Sequence, residues 1–364
     1  MAKSLLFIPD ISGFTNFVQN TEVEHSQHVI AELLEVLIAA NTQQLSLAEI
    51  EGDALFFYKE NEVLSQEKLL AQIETMYTAF YGHLKIMEKN RICPCMACSS
   101  AINLQLKIVA HIGDLQFLKV QNNRKPFGEP VIQVHRLLKN TIDSDNYALI
   151  SKELAEEIDL SLSYKSSLFH FEQGNDTYDT KNIDYIFSEI DANKLKLKPF
   201  LEESHIVLNK APNMVFERVF KTTSNQLLEV ITNYKYRNLW SEGVDDIEFN
   251  INEVTRLGTE HACVIGGKHL NFKVVTKKNK HNELIYGEQS IDSPLFKELY
   301  QFFNITTISD TESKLEVEFY WEPKSFVKKI MIAFFAKKLL IKNFTGSLDR
   351  LEEVIKNLKN LETN

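Results

Sequence analysis

The first half of the chain alternates short apolar runs with longer amphipathic stretches. An apolar run occupies residues 5–8, and two further apolar stretches flank Gly52 and Asp53. The region between them has apolar residues at helical spacing, at Val29, Ile30, Leu33, Leu34, Leu37 and Ile38. This spacing predicts a helix that packs on one face. A second helix is predicted over 73–90 and a strand over 102–112, so the region indicates an α+β fold.

The second half of the chain predicts a strand, a helix, a strand-rich region and a long final helix. Apolar and polar residues alternate at its start, and the chain is predicted to turn at Ala211-Pro212. We expect a helix to start at this proline. The final helical stretch is predicted from about Lys324 to Leu358, with a break near Gly346. Strand-like segments precede it at 246–254, 261–267, 270–278, 283–289, 302–310 and 314–323.

A polar stretch near the middle of the chain separates these two halves. Residues 191–204 have no clear apolar period, which is typical of a linker. We therefore predict a first domain at 1–190 and a second at 205–364. The chain has 364 residues, of which 44% are hydrophobic, and this is enough for two packed cores.

Charge and targeting features limit the classes of function. The formal net charge is −10 and the pI is about 5.6, which argues against general nucleic-acid binding because that depends on a basic surface. No signal peptide precedes the first predicted strand. No apolar run approaches the roughly 18 residues that a membrane helix needs. We therefore expect a cytoplasmic protein without a transmembrane segment.

Two aspartates are the strongest candidates for chemistry. Asp10 follows the first apolar run, and Asp53 lies between two apolar stretches. Carboxylates at the ends or turns of adjacent strands can hold divalent ions, and Mg²⁺ usually takes one or two carboxylates plus substrate phosphates. The turn at residues 11–15 leads into a helix, whose first backbone N–H groups suit a triphosphate.

These motifs resemble the class III nucleotidyl cyclases over roughly residues 3–190. The family opens with a strand that ends in Asp-Ile-x-Gly-Phe-Thr, and its second metal aspartate follows a glycine on a hairpin. It also has a helix with the pattern Gly-x-x-Val-Asn-x-Ala-x-Arg. The matching residues are Asp10, Ile11, Gly13, Phe14 and Thr15, then Gly52 and Asp53, then Gly128, Val131 and Arg136.

The resemblance implies a ferredoxin-like catalytic domain that forms a homodimer. It would make cyclic AMP or cyclic GMP from a purine nucleoside triphosphate, with two Mg²⁺ or Mn²⁺ ions. It implies catalytic roles for Asp10, Asp53 and Arg136, and metal binding by Asp10, Ile11 and Asp53. It implies that the nucleotide contacts Ile11, Gly13, Phe14, Thr15, Glu49 and Arg136.

Several positions depart from the family pattern. Ile132 stands where the family has its transition-state asparagine, with Gln133 beside it. Lys125 falls where an aspartate often contacts the base, and Glu49 falls at the purine-selecting position, with Glu51 one strand period away. The phosphate-binding lysine has only a weak candidate, Lys181. A lost donor at a developing charge can cost about 10²–10³ in rate. The alternative is therefore an inactive pseudo-cyclase that binds nucleotide and lipid and acts as a sensor or interaction protein.

Three of the four cysteines form a second candidate site. Cys93, Cys95 and Cys98 have the spacing C-x-C-x-x-C, and thiolates are usual zinc ligands. A reduced compartment disfavours disulfides. We predict a zinc site whose fourth ligand comes from elsewhere, with His83 and His111 the candidates nearest in sequence. The alternative is a cysteine-rich loop without an ion.

The element order of the second half resembles the START-like helix-grip fold. That resemblance implies a curved sheet around the final helix and a cavity for an apolar ligand, which could gate the first domain. We expect Ile330, Phe334 and Leu340 to pack into the sheet while the nearby lysines face water. The alternative is a basic helix on an anionic membrane. The lysines are Lys324, Lys328, Lys329, Lys337, Lys338 and Lys342.

Overall fold

A computed structural model gives the fold, and the chain divides into two compact units. The units comprise residues 1–88 with 100–199, and residues 89–99 with 200–364. The segment 89–99 therefore belongs to the second unit, although it lies within the first half of the sequence. The residues that the structure describes are 3–121, 123–178, 181–199, 204–251, 253–278, 283–332 and 337–362.

The first unit contains nine strands and most of the helices of the first half of the chain, within the described residues. Its strands are β1 (Ser4–Ser12), β2 (Ser46–Glu51), β3 (Ala54–Lys59), β4 (Gln105–Gly113), β5 (Gln116–Val120), β6 (Asn123–Phe127), β7 (Tyr147–Ser151), β8 (Glu172–Tyr178) and β9 (Lys181–Glu189). Its helices are α1 (Phe14–Asn20), α2 (Val23–Ala39), α3 (Gln66–Lys89), α5 (Glu129–Leu137) and α6 (Lys152–Glu157). Helix α4 (Met96–Ser100) lies mostly in the segment 89–99 of the second unit.

The main sheet of the first unit has the strand order β2-β3-β1-β4-β7-β9-β8. Its first four strands are antiparallel, with α2 between β1 and β2 and α3 between β3 and β4. This is the β-α-β-β-α-β arrangement of ferredoxin-like folds. The predicted fold class is confirmed for this half. A separate β5-β6 hairpin completes the unit's strands.

One face of the sheet packs against α5. Leu6 and Ile8 of β1 are fully buried in a cluster with Val134 and Leu137 of α5. Side chains alternate along a strand, so Asp10 lies on this same face. The sheet therefore presents Asp10 on the side that carries α5.

A glycine in β4 allows α5 to come close to the sheet. A Cβ on Gly113 would lie 2.3 Å from Cγ of Pro130 in the first turn of α5. Any larger residue at position 113 would have to push this helix away. Gly113 therefore helps to set the position of the helix that carries Arg136.

The second unit contains a large antiparallel sheet and a long final helix. Its strands are β10 (His205–Ile206), β11 (Met214–Phe220), β12 (Asp246–Glu248), β13 (Glu260–Ile265), β14 (Lys268–Lys277), β15 (Leu284–Ser290), β16 (Phe296–Ser309) and β17 (Glu312–Pro323). Its other helices are α7 (Ser224–Thr232), α8 (Tyr234–Trp240), α9 (Phe326–Met331) and α10 (Lys337–Glu362).

The second unit has the helix-grip arrangement that the sequence predicted. The sheet order is β11-β17-β16-β15-β14-β13-β12, and α10 packs on one face of it. Phe344, Leu348 and Leu351 of α10 are buried against Tyr286 and Phe303 of the sheet. A run of apolar residues at helical spacing thus covers the inward side chains of the strands.

Two local predictions for the second unit are wrong. Pro212 precedes β11, because the alternating residues 214–220 pair with β17, and the helix starts only at Ser224. Helix α10 also runs through Gly346 without a break. A Cβ there would lie 1.7 Å from Oε2 of Glu242, so this glycine permits close contact and does not end the helix.

Candidate functional site

The strand pairing of the first unit brings Asp10 and Asp53 together. Asp10 pairs with Ala54 across β1 and β3, and Asp53 lies in the turn just before β3. The backbone N–H of Ile11 donates to the carbonyl oxygen of Asp53 at 3.0 Å. The sequence predicted this convergence from the two motifs, and the register shows how it arises.

The two carboxylates interact electrostatically. Burial raises the pKa of Asp53, and the nearby charge of Asp10 raises it further. A carboxylate beside a like charge favours the protonated form unless a cation compensates it. The pair is therefore a place where added positive charge is stabilising.

Lys107 supplies one such charge. Its ammonium lies 2.9 Å from Oδ2 of Asp10, and both side chains are largely buried. Burial acts to lower the pKa of Lys107, but the charge of Asp10 and the hydrogen bond to it raise the pKa overall. Lys107 was not among the residues predicted from the sequence. The available signal was a charged residue inside an apolar strand, Lys107 in β4, which pairs directly with Asp10.

The side chains and backbone around Asp10 and Asp53 offer oxygen ligands for the divalent ions that the motif implies. Two carboxylates and the adjacent backbone at Ile11 are oxygen ligands of the kind that Mg²⁺ and Mn²⁺ prefer. Burial and the charge of Asp10 raise the pKa of Asp53 although Lys107 acts to lower it, so a further positive charge beside the pair would stabilise the charged carboxylate. The residues therefore fit a divalent cation, and its binding would compete with Lys107 for Asp10.

Glu49 and Lys125, for which the family resemblance implies a role near the base, form an ion pair. Lys125 of β6 lies 2.7 Å from Oε1 of Glu49, and both side chains are partly exposed. Glu51 instead contacts Nε2 of His135 on α5 at 2.9 Å. Glu49 and Glu51 thus have different partners, although they lie on the same side of β2.

Helix α5 presents different residues from the family pattern. Ile132 is 56% exposed and has no polar atom in its side chain. The amide of Gln133 donates to Glu153 at 3.4 Å, which is a long hydrogen bond. Arg136 lies near the end of the same helix. Lys181 pairs with Glu129 at 2.7 Å, so its ammonium is already bonded to a carboxylate of α5.

The turn after Asp10 has the geometry of a strand-to-helix connection. Gly13 has φ of +86°, a conformation that other residues rarely adopt, and α1 begins at Phe14. The backbone N–H of Phe17 donates to the carbonyl oxygen of Gly13 at 3.0 Å. Thr15 is exposed and Ile11 is fully buried. The motif residues therefore form one continuous turn beside Asp10.

The three cysteines of the 89–99 segment converge. Their sulfur atoms lie within 4.8 Å of one another, and none of the three cysteines forms a disulfide. The backbone N–H of Cys95 donates to the sulfur of Cys93 at 3.5 Å, and that of Cys98 donates to the sulfur of Cys95 at 3.3 Å. This arrangement suits a soft metal ion better than it suits three separate thiols.

The two histidines proposed as the fourth ligand are engaged elsewhere. His83 contacts Glu32 through Nε2 at 2.6 Å. His111 is buried in β4, where Nδ1 lies 2.8 Å from the hydroxyl of Ser151. These contacts do not support either histidine as a partner of the cysteines.

The second unit buries a group of polar residues on the helix-covered face of its sheet. Arg237 of α8 donates to Glu288 of β15 at 2.9 Å, and both side chains are almost fully buried. Tyr286 also donates to Glu288, at 2.7 Å, and Tyr234 contacts both Tyr286 and His261. Burial lowers the pKa of His261 to about 4, so this ring is neutral near pH 7.

Comparison with known proteins identifies relatives without a described function. A family model described as a protein of unknown function (DUF2652) matches residues 30–147. The chain is 32% identical over 162 residues to the uncharacterized protein Rv2561/Rv2562 of Mycobacterium tuberculosis, covering 44% of this chain and 76% of that protein. The chain therefore belongs to the same family as this mycobacterial protein.

Solved structures resemble each half of the chain. The adenylyl cyclase CyaB from P. aeruginosa matches with 16% identity and a TM-score of 0.40, covering 52% of this chain and 94% of that one. A START superfamily protein from Mycobacterium smegmatis matches with 13% identity and a TM-score of 0.31, covering 40% of this chain and 97% of that one.

None of the described helices is both long enough and apolar enough to cross a bilayer.

Proposed function

We propose that the first unit binds a purine nucleoside triphosphate together with Mg²⁺ or Mn²⁺, and that it does not cyclise the nucleotide at an appreciable rate. The observation that supports this proposal best is the convergence of Asp10 and Asp53. Asp10, Ile11 and Asp53 would hold the metal, which would neutralise the charge of the phosphates. Gly13, Phe14 and Thr15 would lie along the phosphate chain.

The residues of α5 support binding without rapid turnover. Cyclisation needs donors aimed at the charge that develops on the phosphate, and Ile132 offers none at the family's asparagine position. Gln133 projects about 100° around the helix from position 132, so its amide is not a ready substitute. Arg136 would still contribute phosphate binding, because arginine suits bidentate contact with phosphate.

The second candidate is a slow nucleotidyl cyclase that works as a homodimer. It is favoured by the match of the whole turn from Asp10 to Thr15. In the class III family the site forms between two subunits, so Arg136 would contact a nucleotide held by Asp10 and Asp53 of the other subunit. The pair Glu49 and Lys125 would then lie where the base is read, with Glu49 suited to the N–H groups of guanine.

Incubation with nucleotide separates these two candidates. The full chain would be incubated with Mn²⁺ and either ATP or GTP, and the nucleotides would be separated and identified by mass spectrometry. We expect bound triphosphate to be recovered intact, with no more cyclic product than in the Asp53→Asn variant. Cyclic product that requires Asp53 would instead establish the cyclase.

We propose further that the second unit binds an apolar ligand and that this ligand changes nucleotide binding in the first. The support is its helix-grip arrangement and the buried polar group around Glu288, which could receive a polar end of such a ligand. Coupling in binding free energy is reciprocal, so each ligand would change the affinity for the other by the same factor. Repeating the nucleotide titration with and without extracted lipid tests this coupling.

We propose that Cys93, Cys95 and Cys98 bind a structural zinc ion with a fourth ligand. The support is the closeness of the three sulfurs and the two N–H···S hydrogen bonds, which stabilise thiolates. The same segment joins the core of the second unit through Ile92, and the carbonyl oxygen of Asn90 accepts from Leu257 at 2.9 Å. A bound ion would therefore fix a segment that packs on that core.

Zinc content and stability should change together when a cysteine is replaced. We expect about one zinc per chain in protein purified under reducing conditions without chelator. Cys95→Ser should lose it and should lower the melting temperature, because a structural zinc adds folding free energy. Cys263→Ser is the matched control, since Cys263 lies in β13 and should leave the zinc content unchanged. Wild-type protein without zinc would reject the site.

A further inference from the structure

Helix α9 exposes an apolar face. Phe326 and Val327 are 75% and 67% exposed, and Ile330 and Met331 are 46% and 47% exposed. Phe326 lies one helical turn from Ile330, and Val327 lies one turn from Met331, so the four side chains share one side of the helix.

The expectation that Ile330 packs into the sheet is wrong. Leu340 does pack against the core, and Phe334 lies outside the described residues.

The packing shows that this face is not the one that attaches the helices to the unit. Ile332, just after α9, is 4% exposed, and Phe344 and Leu348 of α10 are buried in the core. These residues already anchor both helices. The face of α9 with Phe326 and Ile330 therefore points away from the core of its own unit.

A high density of positive charge accompanies this apolar face. No carboxylate occurs between Pro323 and Asp349, although the chain as a whole has a net charge of −10. Within the described ranges none of the lysines there forms a salt bridge, and the ammonium of Lys328 donates to the carbonyl oxygen of Pro294 at 2.6 Å. The lysines are Lys324, Lys328, Lys329, Lys337, Lys338 and Lys342.

From this combination we infer that α9 and the first turn of α10 dock on an anionic lipid bilayer. Charge complementarity selects this partner, because the lysines match anionic headgroups while Phe326, Val327, Ile330 and Met331 enter the boundary of the acyl chains. The long lysine side chains can keep their ammonium groups among the headgroups while the apolar residues insert. The docking is peripheral and goes beyond nucleotide binding by the first unit.

Vesicle sedimentation with the full chain tests this docking. We expect at least about tenfold stronger partitioning onto vesicles of phosphatidylcholine with about a third phosphatidylglycerol than onto pure phosphatidylcholine, and weakening by high salt. The double variant Phe326→Ser/Ile330→Ser and the double variant Lys329→Glu/Lys338→Glu should each lose at least about tenfold. Both variants alter exposed residues, and circular dichroism would confirm that they fold.

Matched substitutions elsewhere in the second unit serve as controls. Val207 is 83% exposed and Lys268 is exposed, so Val207→Ser and Lys268→Glu change the same residue types at another surface. They should retain the partitioning of the wild type. Equal partitioning onto both kinds of vesicle, or loss in the controls as large as in the α9 variants, would overturn the inference. The inference would also be overturned if the α9 variants abolished self-association in sedimentation velocity while vesicle binding persisted. The apolar face would then join two copies of the chain.

Discussion

Replacing Asp53 by asparagine should lower the Mn²⁺-dependent affinity for triphosphate by about 100-fold or more. One unit charge about 4 Å from an ion contributes about 4 kcal/mol at an effective dielectric of about 20, and each tenfold in affinity corresponds to about 1.4 kcal/mol. Asparagine keeps the size of the side chain and removes its charge. Isothermal titration of ATP and GTP in the presence of Mn²⁺ measures the loss.

The same substitution should stabilise the protein without ligand at neutral pH. The pKa of Asp53 is raised in the folded state by burial and by Asp10, so its charged form opposes folding. Below the pKa that Asp53 has in the unfolded chain, its carboxyl is protonated in both states and does not oppose folding. As the pH rises through the pKa of the folded state, the buried carboxylate becomes charged and the protein loses stability. We therefore expect Asp53→Asn to melt higher than wild type near pH 7, with a smaller difference near pH 4.

Asp10 should behave differently, which makes it a useful comparison. Asp10→Asn should also lose metal-dependent binding, but it leaves the ammonium of Lys107 largely buried without its partner at 2.9 Å. That variant should be less stable than wild type. Asp184→Asn, which removes an exposed partner of Lys152, is the matched control and should change neither property. Unchanged nucleotide affinity in both Asp10 and Asp53 variants would refute the site.

Replacing Arg237 by leucine should cost the second unit about 3–5 kcal/mol of unfolding free energy. Arg237 is the charged partner of Glu288, and both side chains are almost fully buried. Burial acts to raise the pKa of Glu288, but Arg237 and its other partners lower the pKa overall, so the carboxylate is charged. Removing Arg237 would leave that charge without its main partner. Denaturant unfolding followed by circular dichroism measures the loss.

Two comparisons identify the cause of this loss. Arg218→Leu breaks a pair with Asp349 of similar length, 2.7 Å, but Asp349 is 65% exposed, so the cost should be below about 1 kcal/mol. The double variant Arg237→Leu/Glu288→Leu removes both charges and should recover much of the loss. Equal effects of Arg237→Leu and Arg218→Leu would show that burial of the pair is unimportant.

The convergence of Asp10 and Asp53 was predictable because each residue lies in a short sequence motif that forms a turn. The run from Asp10 to Thr15 and the pair Gly52-Asp53 each belong to a local turn, and local turns are encoded by a few adjacent residues. Lys107 was not found because its effect depends on its pairing with Asp10 across β1 and β4. A single sequence does not reveal which strands pair with each other in the sheet.

In the second half of the chain too, contacts between segments that are distant in sequence were not predictable. The order of strands and the final helix was predictable from apolar periodicity, but the alternating residues 214–220 were read as the start of a helix after Pro212. Their pairing with β17, which is distant in sequence, decides that they form a strand. Likewise the exposure of Ile330 follows from which side of α9 faces the core, and the periodicity of one short helix does not decide that side.

Anomalous scattering from Mn²⁺ would show whether Asp10 and Asp53 hold the metal ion beside the nucleotide. Crystals of the full chain grown with Mn²⁺ and a non-hydrolysable analogue of GTP or ATP would be measured at a wavelength that reveals manganese. We expect a manganese peak in contact with the carboxylates of Asp10 and Asp53, with the phosphates beside residues 11–15. Nucleotide bound at another surface, with Lys107 still paired to Asp10 and no manganese between the two aspartates, would contradict it.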